Sequence, residues 1–254
     1  DRTAATDAFF AAFAIPDLMY YILVGGALSA AFIPVFTGYL ARGQEEEGWH
    51  VASTFINITI LLLLLCTGLG IIFAPSLAPL VAYQFSGDQL ALLIRLMRIM
   101  FPAVFFTALA GLTMGVLNSY QYFVTSALGP IIYNTAIILS AYLLGPRLGL
   151  MGMALGVVLG AVGNFSVQLP PLIQRARGYV PTIDIHHEGI RHMVGLMLPA
   201  LLGLSIAQIN LIIGQNLASG LDGGITALRL ANRLIQFPLG VFAMGISTAL
   251  FPEL

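Results

Sequence analysis

The sequence predicts an all-α, polytopic membrane protein, a helical bundle whose two lobes are parallel repeats of each other. Only 8% of its 254 residues are charged and 59% are hydrophobic, whereas about 25% of the residues in a soluble domain are charged. Long stretches such as 51–87 and 99–146 contain no Arg, Lys, Asp or Glu, and about 20 apolar residues suffice for a membrane-spanning helix. A short internal repeat indicates the two lobes.

The same composition excludes several classes of protein. So little charge cannot cover a soluble surface, which excludes a cytosolic enzyme and a disordered chain. A nucleic-acid binder needs a basic patch, and the net charge here is −1, so we expect no nucleic-acid partner. The single cysteine, Cys66, excludes a disulfide framework. The sequence contains no nucleotide-binding loop, catalytic triad or metal-ligand cluster, and we therefore predict no enzymatic activity, no cofactor and no metal site.

Turn-like and charged breaks divide the chain into seven predicted helices. Gly152, Gly156 and Gly160 in the fifth lie four residues apart, and this spacing of small residues predicts a face for close helix packing. Prolines inside apolar runs each remove a backbone donor and can kink a helix; they are Pro16, Pro34, Pro102, Pro130 and Pro238. The seven segments lie near 7–39, 49–74, 88–117, 123–144, 149–174, 190–218 and 224–254.

The arginines in the loops predict the orientation in the membrane. With seven crossings, four loop arginines face one side and two face the other, which favours the first side as cytoplasmic. The first four are Arg42, Arg175, Arg177 and Arg191, and the other two are Arg2 and Arg147. On the cytoplasmic side we interpret the acidic run 45–47 as a solvated turn and the loop with His186, His187 and Glu188 as a solvated loop.

An internal repeat predicts the domain organisation. Residues 27–34 (ALSAAFIP) resemble residues 245–252 (GISTALFP), with Ser, Ala and Pro identical. The repeat pairs the first predicted helix with the seventh, and an even number of helices per unit keeps both copies parallel. We therefore expect residues 1–178 to form an N-terminal lobe that lacks its first helix, and residues 179–254 to begin a C-terminal lobe. The chain does not start with methionine and stops as a helix ends, so we expect a fragment truncated at both ends.

A stripe of polar side chains in the last segment predicts an anion site. Arg229, Arg233 and Gln236 share one helical face by their spacing. An arginine at the bilayer centre costs about 2.5–3.5 kcal/mol on insertion scales, and arginine can grip phosphate with two parallel hydrogen bonds. The alternative is that Arg229, close to the segment start, extends to the membrane interface.

Two acids lie in the first segment. Asp7 is near its outer end and is either functional or a helix N-terminal acid favoured by the dipole. Asp17 follows Pro16, where we expect a break in the helix. It either pairs with an arginine across the two lobes or is hydrated in a cavity. Amides inside helices, such as Gln208, predict interhelical hydrogen bonds, and some of them could line a path.

Several blocks of the sequence resemble the MurJ (MviN) family, and they are spread in order over the whole chain. The first and last blocks are the most specific. They are residues 6–13 (TDAFFAAF) with Ile15-Pro16, residues 26–34 (GALSAAFIP), Gly129-Pro130 with Tyr133-Asn134, residues 198–200 (LPA) with residues 208–210 (QIN), and residues 231–240 (ANRLIQFPLG).

The resemblance implies a lipid II flippase of the bacterial cytoplasmic membrane, within the MATE-like (MOP) transporter superfamily. Such a protein has 14 helices, in two six-helix lobes and two extra helices, and this chain would cover the second to the eighth. It moves undecaprenyl-pyrophosphate-linked muropeptide across the membrane by alternating access, for peptidoglycan synthesis. The implied partners are lipid II, membrane lipids and proteins of cell-wall synthesis.

The resemblance also implies a cationic cavity whose arginines hold the pyrophosphate. Arg233 matches one of them, and Asp7 matches an acid near the cavity. The chain departs from the family at Tyr20 and Tyr21, where paired arginines are common, and at Gly25, where an acid is common. We expect Arg229 to compensate. The candidate substrate-binding residues are therefore Arg233, Arg229, Gln236, Asn232, Asp7 and Asp17.

Three alternative functions stay open. The first is a flippase for another polyprenyl-linked oligosaccharide, which would use the same diphosphate contacts. The second is a cation-coupled multidrug exporter, for which Asp7 and Asp17 would be the membrane acids. The third is a non-transporting membrane scaffold for cell-wall enzymes, which would need no cavity.

Overall fold

The computed structural model describes residues 4–25 and 28–238, and the regular secondary structure in those ranges is entirely helical. π-Helical turns lie at Tyr21–Gly25 and Leu28–Phe32, and a 3₁₀ turn lies at Ala176–Gly178. The α-helices of the described ranges are α1 (Ala4–Ala11), α2 (Ala14–Tyr20), α3 (Ile33–Ala41), α4 (Glu45–Val81), α5 (Gly87–Ser119), α6 (Val124–Leu143), α7 (Gly145–Leu148), α8 (Leu150–Arg175), α9 (Glu188–Ala218) and α10 (Gly224–Pro238).

Six stretches of the described chain are long and apolar enough to cross a membrane, and they coincide with the first six predicted segments. They are Ala4–Ala41, α4, α5, α6, Leu150–Gly178 and α9. The seventh predicted segment begins as α10, and its remainder beyond Pro238 lies outside the described residues. The second copy of the repeat, 245–252, also lies outside them. The prediction of an all-α, multi-pass membrane protein is confirmed.

Prolines account for the expected break in the first segment and for one difference from the predicted helices. The first segment is interrupted between α1 and α2, because Pro16 has no N–H to donate to the carbonyl of Ala12 one turn earlier. The second helix continues to Val81, although we predicted an end at 74, just before Pro75. Pro75 frees the carbonyl of Ile71, and Arg98 Nε donates to that oxygen at 3.3 Å. A neighbouring helix thus satisfies the freed group, as membrane helices require.

Helix α5 lies at the centre of the packing and contacts α1, α2, α4 and α8. One apolar cluster joins α1, the end of α4 and the first half of α5, around Phe9, Met97 and Phe101. A second joins α3, the start of α4 and the second half of α5, around Phe36 and Trp49. The two clusters fix the first broken helix along α5, which sets the position of its polar side chains.

Helices α6 and α8 meet through the predicted glycine face. A Cβ on Gly160 would lie 2.7 Å from the carbonyl oxygen of Tyr133, and one on Gly152 would lie 2.8 Å from the carbonyl oxygen of Leu144. Real Cβ atoms essentially never approach backbone atoms this closely. The packing face predicted from Gly152, Gly156 and Gly160 is therefore confirmed.

The loop between α8 and α9 is largely exposed, as predicted, and hydrogen bonds also tie it along α4. Asn57 on α4 donates to the carbonyl of Thr182 at 2.8 Å and accepts from the hydroxyl of Tyr179 at 2.6 Å. The backbone N–H of Val180 donates to Ser53 Oγ at 3.0 Å. We call residues 179–187 the strap.

The histidine at the end of the strap has two partners. The side chain of His187 is 16% exposed, and its Nε2 lies 2.7 Å from Glu47 Oε1. Its Nδ1 accepts from the backbone N–H of Gly189 at 3.0 Å and caps α9. Glu45, in the same acidic run as Glu47, accepts from the hydroxyl of Tyr120. The acidic turn that we expected to be solvated therefore anchors neighbouring elements.

We predict that Gly160→Ala destabilises the protein, because the new methyl group must push α6 away from α8. Overpacking of this kind costs about 1–3 kcal/mol, and thermal unfolding of the full-length protein in detergent measures it. Gly68→Ala is the matched control, since nothing lies within 4 Å of a Cβ at that helical position. Equal melting temperatures for the two variants would contradict the packing role of Gly160.

We predict that the strap loosens in acid through Asp184. The pKa of this carboxyl lies below its usual range, because the backbone N–H of His186 donates to it and His50 lies beside it. A lowered pKa in the folded state stabilises the fold above the ordinary aspartate pKa, and this stabilisation is lost as pH falls through the folded value. Hydrogen exchange of the strap, corrected for intrinsic rates, should rise below about pH 4.

In Asp184→Asn the strap should exchange faster at neutral pH and respond less to acid. Asp222→Asn changes an exposed loop carboxylate and should behave as the unmodified protein. Strap protection that is the same in Asp184→Asn and the unmodified protein at every pH would exclude this role of Asp184.

Candidate functional site: a cationic cavity between the first and last helices

A cavity of about 540 Å³ lies between the first broken helix and the pair α9–α10. On the first broken helix and on α9 the lining residues recur at intervals of three or four and form one helical face each, whereas the α10 wall is wider and includes the consecutive residues 228–230. The lining residues are Phe10, Ala14, Asp17 and Tyr21; Gln208, Leu211, Ile212 and Gln215; and Ile225, Leu228, Arg229, Leu230, Asn232, Arg233 and Gln236.

The structure places five of the six predicted site residues in this cavity, and Asp7 is the exception. The spacing of Arg229, Arg233 and Gln236 predicts one face of α10, and that face lines the cavity. Asn232 lies on the same wall, and Asp17 faces it from α2. The cavity lining therefore holds two guanidinium groups, four amides and one carboxylate, and the other two amides are those of Gln208 and Gln215 on α9.

Arg229 points at Asp17 rather than at the membrane interface. Its Nη2 lies 3.9 Å from Asp17 Oδ2, and its side chain is 34% exposed. The guanidinium also lies over the rings of Phe10 and Phe13, at 5.7 and 5.6 Å from their centroids, within the range of a cation–π contact. Of the two alternatives for Asp17, the structure has the pair with an arginine of a distant helix.

Arg233 lies one turn further along α10 and is exposed. Among the residues that the structure describes, the ion pairs do not include Arg233. Its donors are therefore available to an anion in the cavity, with the amides of Asn232 and Gln236 beside it. A planar guanidinium can hold a phosphate oxygen pair with two parallel hydrogen bonds.

Asp7 lies outside the cavity wall and caps another helix. It is 1% exposed, and its Oδ1 accepts from the backbone N–H of Thr226 at 2.8 Å and from the Thr226 hydroxyl at 2.6 Å. Thr226 is in the first turn of α10, where backbone N–H groups have no partner within the helix. The N-terminal acid considered from the sequence thus serves a helix more than 200 positions away, and substrate contact by Asp7 stays a prediction.

Further contacts hold the helices together near this cap. Gln215 Nε2 donates to the carbonyl of Ala11 at 3.5 Å, and Asn216 Nδ2 donates to the carbonyl of Leu80 at 2.7 Å. The α9–α10 turn is thereby fixed to the end of α1 and the end of α4. These two amides are not the ones for which the sequence predicts interhelical bonds: Asn134 and Gln168 donate within their own helices, and Gln208 lines the cavity.

Phe10, Tyr21 and Gln215 line the cavity, but the sequence reasoning did not single them out as site residues. A signal was available, since Phe10, Ala14, Asp17 and Tyr21 follow the same helical spacing as the stripe on α10. Tyr21 also accounts for a departure from the family pattern. A Cβ on Gly25 would lie 3.1 Å from Tyr21 Cδ1, so the large ring at 21 fits with a small residue at 25.

The six spans and the cavity between helices define a class of protein, a multi-pass helical bundle of the membrane. An inward-facing multidrug-resistance MATE transporter of the MOP superfamily has this fold, with a TM-score of 0.73 over 99% of this chain and 60% of that one, at 17% identity. The family model described as lipid II flippase MurJ matches residues 2–254. The chain belongs to the MurJ family, and the resemblance seen in the sequence is confirmed.

Individual relatives agree with this assignment. A lipid II flippase MurJ from Burkholderia cenocepacia is 34% identical over 98% of this chain and 50% of its own length. A probable lipid II flippase MurJ from Buchnera aphidicola, of the pea-aphid subspecies Acyrthosiphon pisum, has the same identity and coverage. A solved lipid II flippase MurJ in an inward closed conformation has a TM-score of 0.79, at 26% identity over 97% of this chain and 51% of that one. The chain spans about half the length of these relatives.

We predict that Asp7→Ala loosens the junction between α1 and α10. Loss of a capping side chain costs about 0.5–2 kcal/mol, and the local opening of the junction should become correspondingly more populated. Spin labels can be attached to cysteines that replace Asp88 and Leu221, both exposed, once Cys66 is replaced by serine. The distance between the two labels reports the opening of this side.

In the full-length protein, Asp7→Ala should broaden the distance distribution and add longer distances. Asp7→Asn keeps an oxygen that can accept from the Thr226 N–H and should change the distribution less. Identical distributions for the unmodified protein and Asp7→Ala would show that the cap does not hold the junction.

Proposed function

We propose that the chain is part of a lipid II flippase of the bacterial cytoplasmic membrane. The full protein would move the undecaprenyl-pyrophosphate-linked muropeptide across the bilayer for peptidoglycan synthesis. The observation that carries the proposal is the polar face of α10, where Arg229, Arg233 and Gln236 line a cavity between helices. Family membership supports the substrate class, and the chemistry of the cavity wall supports the part of the substrate that it would bind.

The diphosphate is the group that this wall would recognise. Two guanidinium groups one helical turn apart can each take one phosphoryl group, while Gln236 and Asn232 donate from their amides. The glycan and peptide would be held by parts of the full protein beyond these helices. The substrate-binding residues we propose are Arg233, Arg229, Gln236 and Asn232, with Asp17 as the counter-charge.

Alternating access requires two bodies that separate on one side while they remain joined on the other. We propose that the bodies are the lobe 1–178 and the lobe that begins at 179. Their junction would be the contact of Asp7 with Thr226, supported by Gln215 and Asn216. The strap 179–187, which is fixed to α4, would connect the two bodies on the other side.

A flippase for another polyprenyl-diphosphate-linked oligosaccharide is the second candidate. The tyrosines at 20 and 21 and the glycine at 25 favour it, because they replace residues that the family pattern makes charged. Both candidates use the same diphosphate contacts, and competition between headgroups separates them. The proposed partners are lipid II and the membrane lipids around the spans, with proteins of cell-wall synthesis as further candidates.

We predict that Arg233→Ala in the full-length protein abolishes most flipping. Hydrogen bonds to charged groups contribute about 1.5–3 kcal/mol each, so binding of the diphosphate should weaken about 10- to 100-fold. The measurement is the fraction of lipid II exposed on the outer leaflet, at matched protein levels. Arg147→Ala, in an exposed turn at the end of α7, is the charge-matched control.

Arg233→Lys keeps the charge but loses the two-pronged geometry, and it should give an intermediate loss. Unchanged lipid II exposure in Arg233→Ala, at normal protein levels, would exclude the proposed binding role.

A further inference from the structure

We propose that Asp17 is a competing internal anion: the ligand's phosphate displaces it from Arg229, and binding thereby breaks an ionic link between α2 and α10. The inference rests on the proposed function, since it concerns the same site. It assigns to Asp17 and Arg229 separate roles that neither the family match nor the cavity lining alone supplies.

The ion pair between Asp17 and Arg229 is weak. A strong arginine–carboxylate pair has two parallel hydrogen bonds of about 2.7–2.9 Å. Here a single nitrogen lies 3.9 Å from a single oxygen, and the two side chains are 34% and 47% exposed. Pairs this open contribute about 0.2–1 kcal/mol. A phosphate group that offers two oxygens to the same guanidinium therefore makes the stronger contact and displaces Asp17.

Two aromatic rings hold Arg229 when Asp17 leaves it. The guanidinium lies 5.7 Å from the ring centroid of Phe10 and 5.6 Å from that of Phe13. These aromatic faces keep the cation in place without occupying its hydrogen-bond donors. Arg229 is thus positioned by two neutral rings, while its charge is neutralised by Asp17, which can be replaced. Exchange of one anion for another requires this separation of roles.

The charges that line the cavity do not balance. Arg229 and Arg233 carry two positive charges and Asp17 carries one negative charge, and these are the charged side chains that residues 4–25 and 28–238 contribute to the lining. Asp17 neutralises one cation in the empty cavity, so the uncompensated charge is a single unit. A monophosphate can be satisfied by Arg233 alone, whereas a diphosphate needs both arginines and must displace Asp17.

The carboxylate of Asp17 can be hydrated after it is displaced. Removing one partner of a fully buried pair leaves an unpaired charge at high cost. Asp17 is about half exposed toward the cavity, so water can solvate it once Arg229 binds the ligand. The exchange is therefore feasible, and its structural consequence is the loss of one contact between α2 and α10.

The test is a double-mutant cycle on Asp17 and Arg229 in the full-length protein in nanodiscs. The probes are farnesyl diphosphate and farnesyl monophosphate, with inorganic pyrophosphate to separate the phosphate chemistry from the lipid. Asp17→Asn should raise the affinity for farnesyl diphosphate, by up to about fivefold for a pair of this exposure. The gain for farnesyl monophosphate should be smaller, and Asp17→Asn should gain nothing when Arg229→Gln is already present.

Asp17→Glu is the matched variant that keeps the negative charge. It should show no gain in affinity, whereas a purely structural role would make Asp17→Asn and Asp17→Glu behave alike. Distances between labels on α2 and α10 provide a second readout. Farnesyl diphosphate should lengthen them in the unmodified protein, and Asp17→Asn should show the longer distance without ligand.

The outcomes separate this inference from the function on which it rests. If the unmodified protein binds farnesyl diphosphate through Arg233 but Asp17→Asn gains no affinity, Asp17 is not a competing anion and the binding site stands. If the effects of Asp17→Asn and Arg229→Gln are additive, the displacement is likewise excluded. If the unmodified protein binds none of the three probes, both the site and the displacement are wrong.

Discussion

A charge inside a bilayer has to be paired, hydrated or hydrogen-bonded, and the arrangement of this chain depends on that constraint. Only 8% of the residues are charged, and several charged side chains within the described helices show how this constraint is met. Arg98 donates to a carbonyl that Pro75 leaves free, and Asp7 caps the N-terminus of α10. Arg229 faces Asp17 across the cavity, and Arg233 is exposed on the same wall.

The spans could be predicted from the sequence because hydropathy is a local property. The six spans coincide with predicted segments, and the glycine face of α8 packs as its four-residue spacing indicates. The end of α4 could not be predicted, since it depends on Arg98 of a different helix supplying the donor that Pro75 lacks. The attachment of the strap to α4 could not be predicted for a similar reason. Its polar residues are typical of a solvated loop, and only the distant partners on α4 show that it is fixed.

The candidate site, like the fold, could be predicted only where it depends on local spacing. The face formed by Arg229, Arg233 and Gln236 follows from helical spacing within fifteen residues of α10, and it lines the cavity. The partners of Asp7 and Asp17 lie more than 200 positions away, at Thr226 and Arg229. Spacing within one helix cannot choose among such partners, so the sequence left two interpretations of each acid. Tertiary packing gave Asp7 a cap and Asp17 an ion pair.

These two acids form unequal links between the same two parts of the chain. Asp7 is buried and accepts two hydrogen bonds of 2.8 and 2.6 Å, so water and ligand cannot compete for it without opening the junction. Asp17 is half exposed and holds Arg229 at 3.9 Å, so an anion that enters the cavity can replace it. An anion would therefore break the weaker link first, while the cap at Asp7 still joins α1 to α10. Such an order would keep one side closed while an anion binds in the cavity, which is the condition that the proposed alternating access requires.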